Sequence, residues 1–203
     1  MWLDHHGTST SRHPAPYPER VHGDGDGWVI AESGAHYWGR HGAAGLLLRA
    51  LGPDGRAAVL LQHRAPWSHQ GGTWALPGGA RDSHETAEQA AVREAHEEAG
   101  LPAEQVRVRT SVVTAEVGSA DGGTYWSYTT VIADAPGLLD TVPNRESSEL
   151  RWVAEDEVAD LPLHPGFAAS WQRLRAVTAA IPVLTDPAPP PAGQQRPADR
   201  PHR

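Results

Sequence analysis

The sequence predicts an α/β domain built on a mixed sheet, and three observations carry that prediction. Apolar runs of strand length come in pairs joined by glycine-rich turns, an alanine-rich helix with clear start and stop signals lies between the pairs, and a second amphipathic helix follows. Strands and helices interleaved in this order bury their apolar faces most simply as helices packed on a sheet.

Taken in order, residues 1–26 are rich in His, Pro, Gly and charge without an apolar period, and are expected to be a mobile N-terminal arm. The His5-His6 pair lacks further spaced ligands and reads as a solvated pair. The domain proper is expected over 27–184. A short strand is predicted at Trp28 to Ala31, then a hairpin of Ala43 to Arg49 and Ala57 to Arg64, turned at Gly52-Pro53-Asp54-Gly55. A loop from Ala65 to Gly72 leads to a brief extended segment, Trp74 to Leu76, and a turn at Pro77-Gly78-Gly79. The helix begins with Thr86 and, three residues later, Gln89, a capping-box spacing, and stops at Gly100. Ala91, Val92, Ala95 and Ala99 form a narrow stripe of small residues, suited to close packing on a sheet. Gln105 to Val117 and Thr124 to Ala133 read as a second antiparallel pair around a GSADGG turn, and Glu149 to Val153 as a further strand. A helical turn is predicted at Asp156 to Leu161 and an amphipathic helix at Phe167 to Ala180. Residues 185–203, dense in proline, are expected to be a disordered tail.

Composition narrows the function. A formal net charge of -8 argues against a stable nucleic-acid partner, because neutralising a phosphate backbone takes an excess of Lys and Arg. The absence of cysteine excludes disulfides, thiolate metal sites and cysteine nucleophiles. No apolar run reaches membrane-spanning length and residues 1–20 lack the apolar core of a signal peptide, so no membrane is expected and the location is read as cytoplasmic.

The chemistry is concentrated between Gly79 and Leu101. At about 100° per residue, Glu97 and Glu98 fall roughly 60° and 40° to either side of Glu94, so three carboxylates share one helix face. Like charges that close repel unless a cation sits among them. The pattern points to a divalent metal site of hard oxygen ligands, suited to Mg²⁺ or Mn²⁺.

Gly79, Glu85, Arg93-Glu94, Glu97-Glu98 and Gly100, in the spacing they have here, resemble the signature of the Nudix hydrolases, with Ala95 smaller than the usual aliphatic at its slot. The flanking LLQHR, WALPGG and ELRWV are similar to the same family. The resemblance implies the Nudix fold, an α/β/α sandwich with a mixed central sheet, and an enzyme that hydrolyses phosphoanhydride bonds in nucleoside diphosphate-X compounds. It implies Glu94, Glu97 and Glu98 as metal ligands, one of them the base toward water, with Glu85 and Arg93 as a supporting ion pair. Gly78 and Gly79 are expected to give backbone access to phosphate, and Arg64 to reach substrate phosphates as in MutT-type members. Glu116 or Glu149 would add a carboxylate from outside the signature. Trp126 and Tyr128, two apart on a strand, are expected to stack on a base, while Trp74 reads as core, His96 as exposed and His164 as a loop histidine. A homodimer would be ordinary for the family.

Among subgroups, the proline of ADP-ribose hydrolases and the tyrosine of dinucleoside polyphosphate hydrolases are missing near Val117, and the arginine of coenzyme A hydrolases is missing near His69. A MutT-like nucleoside triphosphate pyrophosphatase releasing nucleoside monophosphate and pyrophosphate is the expectation. An ADP-ribose or nucleotide-sugar pyrophosphatase, or a non-catalytic nucleotide-sensing module of the same fold, is the alternative. The isomerase branch of the fold relies on a cysteine that this chain lacks.

Overall fold

The structure, a computed structural model, describes residues 23–118 and 124–184. It contains the strands β1 (Trp28–Ile30), β2 (His36–Trp38), β3 (Ala43–Leu51), β4 (Ala57–Arg64), β5 (Trp74–Ala75) and β6 (Gly78–Ala80), then helix α1 (Ala87–Ala99). Strands β7 (Arg107–Val117), β8 (Trp126–Asp134) and β9 (Ser147–Ala154) follow, and helix α2 (Pro165–Ala179) comes last. Single 3₁₀ turns at Ala103–Gln105 and Val158–Asp160 lead into β7 and α2.

Seven strands make one mixed sheet in the order β5-β4-β3-β8-β7, with β6 on β3 and β9 on β4. The centre is the β3 and β8 pair, which runs parallel from Ala43 beside Tyr128 to Arg49 beside Asp134. A parallel central pair is covered on both faces, which is why β3 reads as an unbroken apolar run instead of an alternating one. Alternate residues of β3 supply the two cores. Leu46, Leu48 and Ala50 pack with Ala90, Ala91, Ala95 and Ala99 of α1, whereas Leu47 packs with Phe167, Trp171 and Leu174 of α2. The alanine stripe lets α1 lie directly on the sheet, and cutting a fully buried Leu46 or Leu47 to alanine would cost about 2–5 kcal/mol. These layers are the expected α/β/α sandwich.

Helix α1 has the ends its sequence encodes. Gln89 N donates to Thr86 Oγ1 at 3.2 Å and Thr86 N to Gln89 Oε1 at 2.9 Å, and Gly100 closes the helix at φ 68°. Elsewhere the sequence was read imperfectly. Gly78–Ala80, expected as a turn, is a strand antiparallel to β3. A Cβ on Gly78 would lie 2.4 Å from Ala44 O, so only glycine allows this backbone approach. His36–Trp38, unassigned from sequence, pairs with β1 as a separate hairpin. Of the expected mobile arm, Asp24 and Gly25 are bonded to the loop before α1. Ser83 N donates to Asp24 Oδ1 and Gly25 N to Asp82 Oδ1, both at 2.8 Å. The expectations for His5-His6 and for the tail over 185–203 lie outside the described residues.

One buried charge pair also went unread in the sequence. Arg49 in β3 and Asp134 in β8 are both inside the protein, 2.8 Å apart, and Arg49 Nη1 donates to the carbonyls of Thr178 and Ile181 at the end of α2. Arg109 also meets Asp134. The pair fixes the C-terminal end of α2, whose last carbonyls attract a cation. Among the described residues no helix is long and apolar enough to cross a membrane.

Candidate active site

The site lies where the second half of α1 faces β6. Arg93 organises it. Its Nε donates to Glu85 Oε1 at 2.7 Å and its Nη2 to Glu85 Oε2 at 2.9 Å, a two-toothed pairing that fixes the plane of the guanidinium. The same Nη2 donates to Ala80 O at 2.9 Å, and Nη1 to Glu94 Oε1 at 2.9 Å. Arg93 therefore ties the loop, strand β6 and helix α1 together. Glu85 is held below its usual carboxylate range, first by the Arg93 hydrogen bond.

Two carboxylates reach inward from this frame. Glu98 is buried, with 4% of its surface exposed, and Gly78 N donates to its Oε2 at 2.9 Å. Burial pushes Glu98 up to about 8, with the nearby Glu94 charge acting in the same direction. Glu94 is pushed up to about 7, again chiefly by burial, against the opposing pull of Arg93. Its carboxyl lies on the bare Cα of Gly79, where a Cβ would come 2.6 Å from Glu94 Cδ. Gly78 and Gly79 thus serve the carboxylates directly, one by its N–H and one by its missing side chain. Glu97 stands farther out, exposed, with Arg93 Nη1 at 3.5 Å from its Oε2.

The expected trio is not drawn into a closed cage. Among the described residues, the three acidic or histidine groups with ligating atoms within 4.8 Å of one another are Asp24, Asp82 and His84. The physical reason is mutual repulsion: Arg93 stands as counter-charge to Glu94 and Glu97, while Glu98 retreats to the Gly78 N–H. The donor set nonetheless fits a divalent ion. Its atoms are hard oxygens, and two neighbouring carboxylates, one buried and one partly so, that hold protons near neutrality are better satisfied by a cation.

A fourth acid escaped the sequence reading. Glu146 acts as a like charge on both Glu94 and Glu98. It precedes β9, and Ala65 N donates to its carbonyl at 2.9 Å, so the chain there is fixed beside the end of β4. The candidates read from sequence have other partners: Arg151 Nε donates to Glu149 Oε1 at 2.7 Å, and Tyr125 Oη donates to Glu116 Oε1 at 2.8 Å. The only hint was proximity, since Glu146 lies three positions before Glu149 in a segment without periodicity.

Arg64 is within electrostatic reach of Glu98 and Tyr128, and its Nε donates to His69 O at 3.0 Å. His164 caps α2, accepting Gly166 N at Nδ1, and its pKa is lowered by burial and then by Arg64 and His69. Arg64, bonded to His69 and with His164 in its field, supplies the positive charge on this side of the site. His96 is exposed, its Nδ1 2.8 Å from Leu101 O, and Trp74 is buried in the α2-side core. Tyr128 and Trp126 share a face, ring centroids 6.4 Å apart, yet neither is laid open for a base. Trp126 packs on Tyr37 at 4.7 Å and donates its Nε1 to Trp38 O, while Tyr128 Oη fills the space beside Gly45. Burial, followed by the Glu98 charge, raises the pKa of the Tyr128 phenol.

The acids, the arginine clamp and the sandwich define a class. Residues 39–174 match the NUDIX domain family, and the chain belongs to it: this is a Nudix hydrolase. The relatives agree. The chain is 74% identical over 170 residues, 84% of this chain and 78% of the relative, to a Mycobacterium tuberculosis protein provisionally named 8-oxo-dGTP diphosphatase 3. It is 40% identical over 168 residues, 79% of this chain and 33% of the relative, to a Bifidobacterium longum nucleoside triphosphate pyrophosphatase/Nudix hydrolase fusion protein. The crystal structure of RenU, a Nudix hydrolase from M. smegmatis, superposes with a TM-score of 0.76 at 80% identity, covering 79% of this chain and 99% of RenU.

Proposed function

We propose that this chain is a Mg²⁺- or Mn²⁺-dependent, MutT-like nucleoside triphosphate pyrophosphatase, with an oxidised purine triphosphate such as 8-oxo-dGTP as the first substrate to try. One observation carries the metal-dependent chemistry: the buried Glu98 and the partly buried Glu94 beside it are both pushed into the neutral range, a state that a divalent cation relieves. The name of the 74%-identical mycobacterial relative supports the choice of substrate.

Water adds to phosphorus, the bond from that phosphorus to the bridging oxygen breaks, and nucleoside monophosphate and pyrophosphate leave with one proton released. A bound divalent ion would neutralise the polyphosphate and acidify water. Glu94, Glu97 and Glu98 would hold it, Glu97 turning in from its exposed position. Glu85 and Arg93 fix Glu94, Gly78 N–H orients Glu98, and Arg64 meets phosphate oxygens. Glu146, in the same field, is a second proton acceptor toward water. Tyr128 lines the inner wall beside Glu98, with Trp126 bracing it from behind.

The test is a panel of nucleoside triphosphates, 8-oxo-dGTP, nucleotide sugars, ADP-ribose and dinucleotides, each with Mg²⁺ and with Mn²⁺. Monophosphate and pyrophosphate from a triphosphate are expected, and Glu98→Gln should slow turnover by about 10²-fold or more. Hydrolysis confined to ADP-ribose or sugar nucleotides would overturn the triphosphate reading.

A further inference from the structure

We propose that Trp28, on the β1–β2 hairpin, is the platform on which the substrate's nucleobase stacks, and so a specificity-determining residue. The inference rests on the nucleotide pyrophosphatase reading above. The hairpin spans Trp28 to Trp38 and precedes the family-matched stretch, which begins at residue 39. It lies against the site from two sides. Tyr37 packs on Trp126, whose Nε1 bonds the Trp38 carbonyl, and Trp126 lies next to Tyr128 beside Glu98. On the hairpin's other face, the Trp28 ring meets the His69 ring at 6.3 Å, and the carbonyl of His69 is the acceptor for Arg64. Arg64 is in turn the cation nearest in effect to Glu98. Trp28 therefore stands at the outer end of a chain of contacts that reaches Arg64 and Tyr128, both within the field of Glu98.

Its ring is available. Trp28 is 51% exposed although it pairs with Trp38 in the strand register. Its three ring neighbours lie at 49°, 72° and 74° to it, so none of them stacks flat on the indole. An exposed indole held by edge contacts offers a planar face, which is what a purine or pyrimidine requires. Trp126, buried between hairpin and sheet, offers none. The Arg64 guanidinium, linked to Trp28 through His69, suits the polyphosphate end of the same ligand.

Kinetics of the full chain with its best nucleoside triphosphate, together with inhibition by the matching nucleoside monophosphate and by inorganic pyrophosphate, test the proposal. Trp28→Ala should raise KM and the monophosphate inhibition constant roughly 5- to 100-fold, the equivalent of about 1–3 kcal/mol of stacking. kcat should stay within about twofold, pyrophosphate inhibition should not move, and Trp28→Phe should restore most of the binding. Val142→Ala, at a comparably exposed apolar position, serves as control. Unchanged monophosphate binding, or equal weakening of monophosphate and pyrophosphate, would overturn the stacking role. A change of elution volume for Trp28→Ala would overturn it too, by marking the hairpin as a contact between two copies. If the wild-type chain cleaves no triphosphate, the functional reading fails, while monophosphate binding by wild type against Trp28→Ala still decides the role of Trp28.

Discussion

Chelating divalent ions and raising the pH from about 7 to about 8.5 strips the protons from the buried Glu98 and the partly buried Glu94, leaving Arg93 on Glu94 and no metal ion between the two carboxylates. In the unfolded chain Glu94 and Glu98 titrate near 4.5, and in the folded protein near 7 and 8. Between those values the folded state holds more protons than the unfolded one, so stability is greatest at the acid end and falls as pH rises through the window. At about 1.4 kcal/mol per unit, the full losses are at most about 3 kcal/mol for Glu94 and about 5 kcal/mol for Glu98. The step from pH ~7 to ~8.5 alone accounts for about 1.5 kcal/mol, or roughly 3–6 °C in Tm for a domain of this size. His164 has the opposite sign: its lowered pKa costs stability only as pH falls below about 6.5, so the chosen step avoids it. Glu85, with its depressed pKa, likewise acts only below about 4.5. The assay is thermal or urea unfolding in EDTA at the two pH values, repeated with Mg²⁺ and with the Glu94→Gln/Glu98→Gln double variant. Metal-free wild type should lose stability over the step, Mg²⁺ should abolish the loss, and the double variant should be flat. A metal-free wild type equally or more stable at pH ~8.5, or a double variant with the wild-type slope, would refute the reasoning.

Three further outcomes follow from the geometry. Gly79→Ala should leave the fold within about 1 kcal/mol, because the atoms nearest its Cβ belong to the movable Glu94 carboxyl, yet weaken metal binding about tenfold or more by calorimetry; Gly78→Ala, which meets backbone, should instead lower Tm. Glu85→Gln removes the paired charge from Arg93 and should cut metal affinity and turnover about 10- to 100-fold, read as Kd and kcat on one preparation; an unchanged Kd would deny Arg93 its orienting role. Arg49→Met takes the buried guanidinium away from the buried Asp134 and should cost about 3–5 kcal/mol in urea unfolding, with kcat at low temperature little changed because the pair lies at the end of α2.

The parts of the fold legible in the sequence are those whose causes are local. Helix α1 was bounded by Thr86, Gln89 and Gly100 because caps act within four residues. The double-sided burial of β3 showed as an unbroken apolar run. What stayed hidden was decided by distant partners. Gly78–Ala80 carries a turn-like composition, and only the Ala44 backbone beside it makes a strand of it. Arg49 looks like a strand-end surface charge until Asp134, Thr178 and Ile181 close around it.

The site divides along the same line. Arg93 and Glu85 are eight residues apart, and their pairing follows from the helix and the loop before it. Glu146 is different, because β9 pairs with β4 through a register shift between His63 and Arg64, which sets Ser147 opposite Arg64. No spacing rule in the chain announces that shift. It leaves Glu149 in an exposed pair with Arg151 while Glu146, one residue before β9 begins, lies within the field of Glu94 and Glu98. The same logic separates Trp126 from Trp28. Strand alternation correctly put Trp126 and Tyr128 on one face, but the hairpin that covers that face is itself a long-range partner. Covering Trp126 and exposing Trp28 are two consequences of one docking event, on an element the signature helix does not encode.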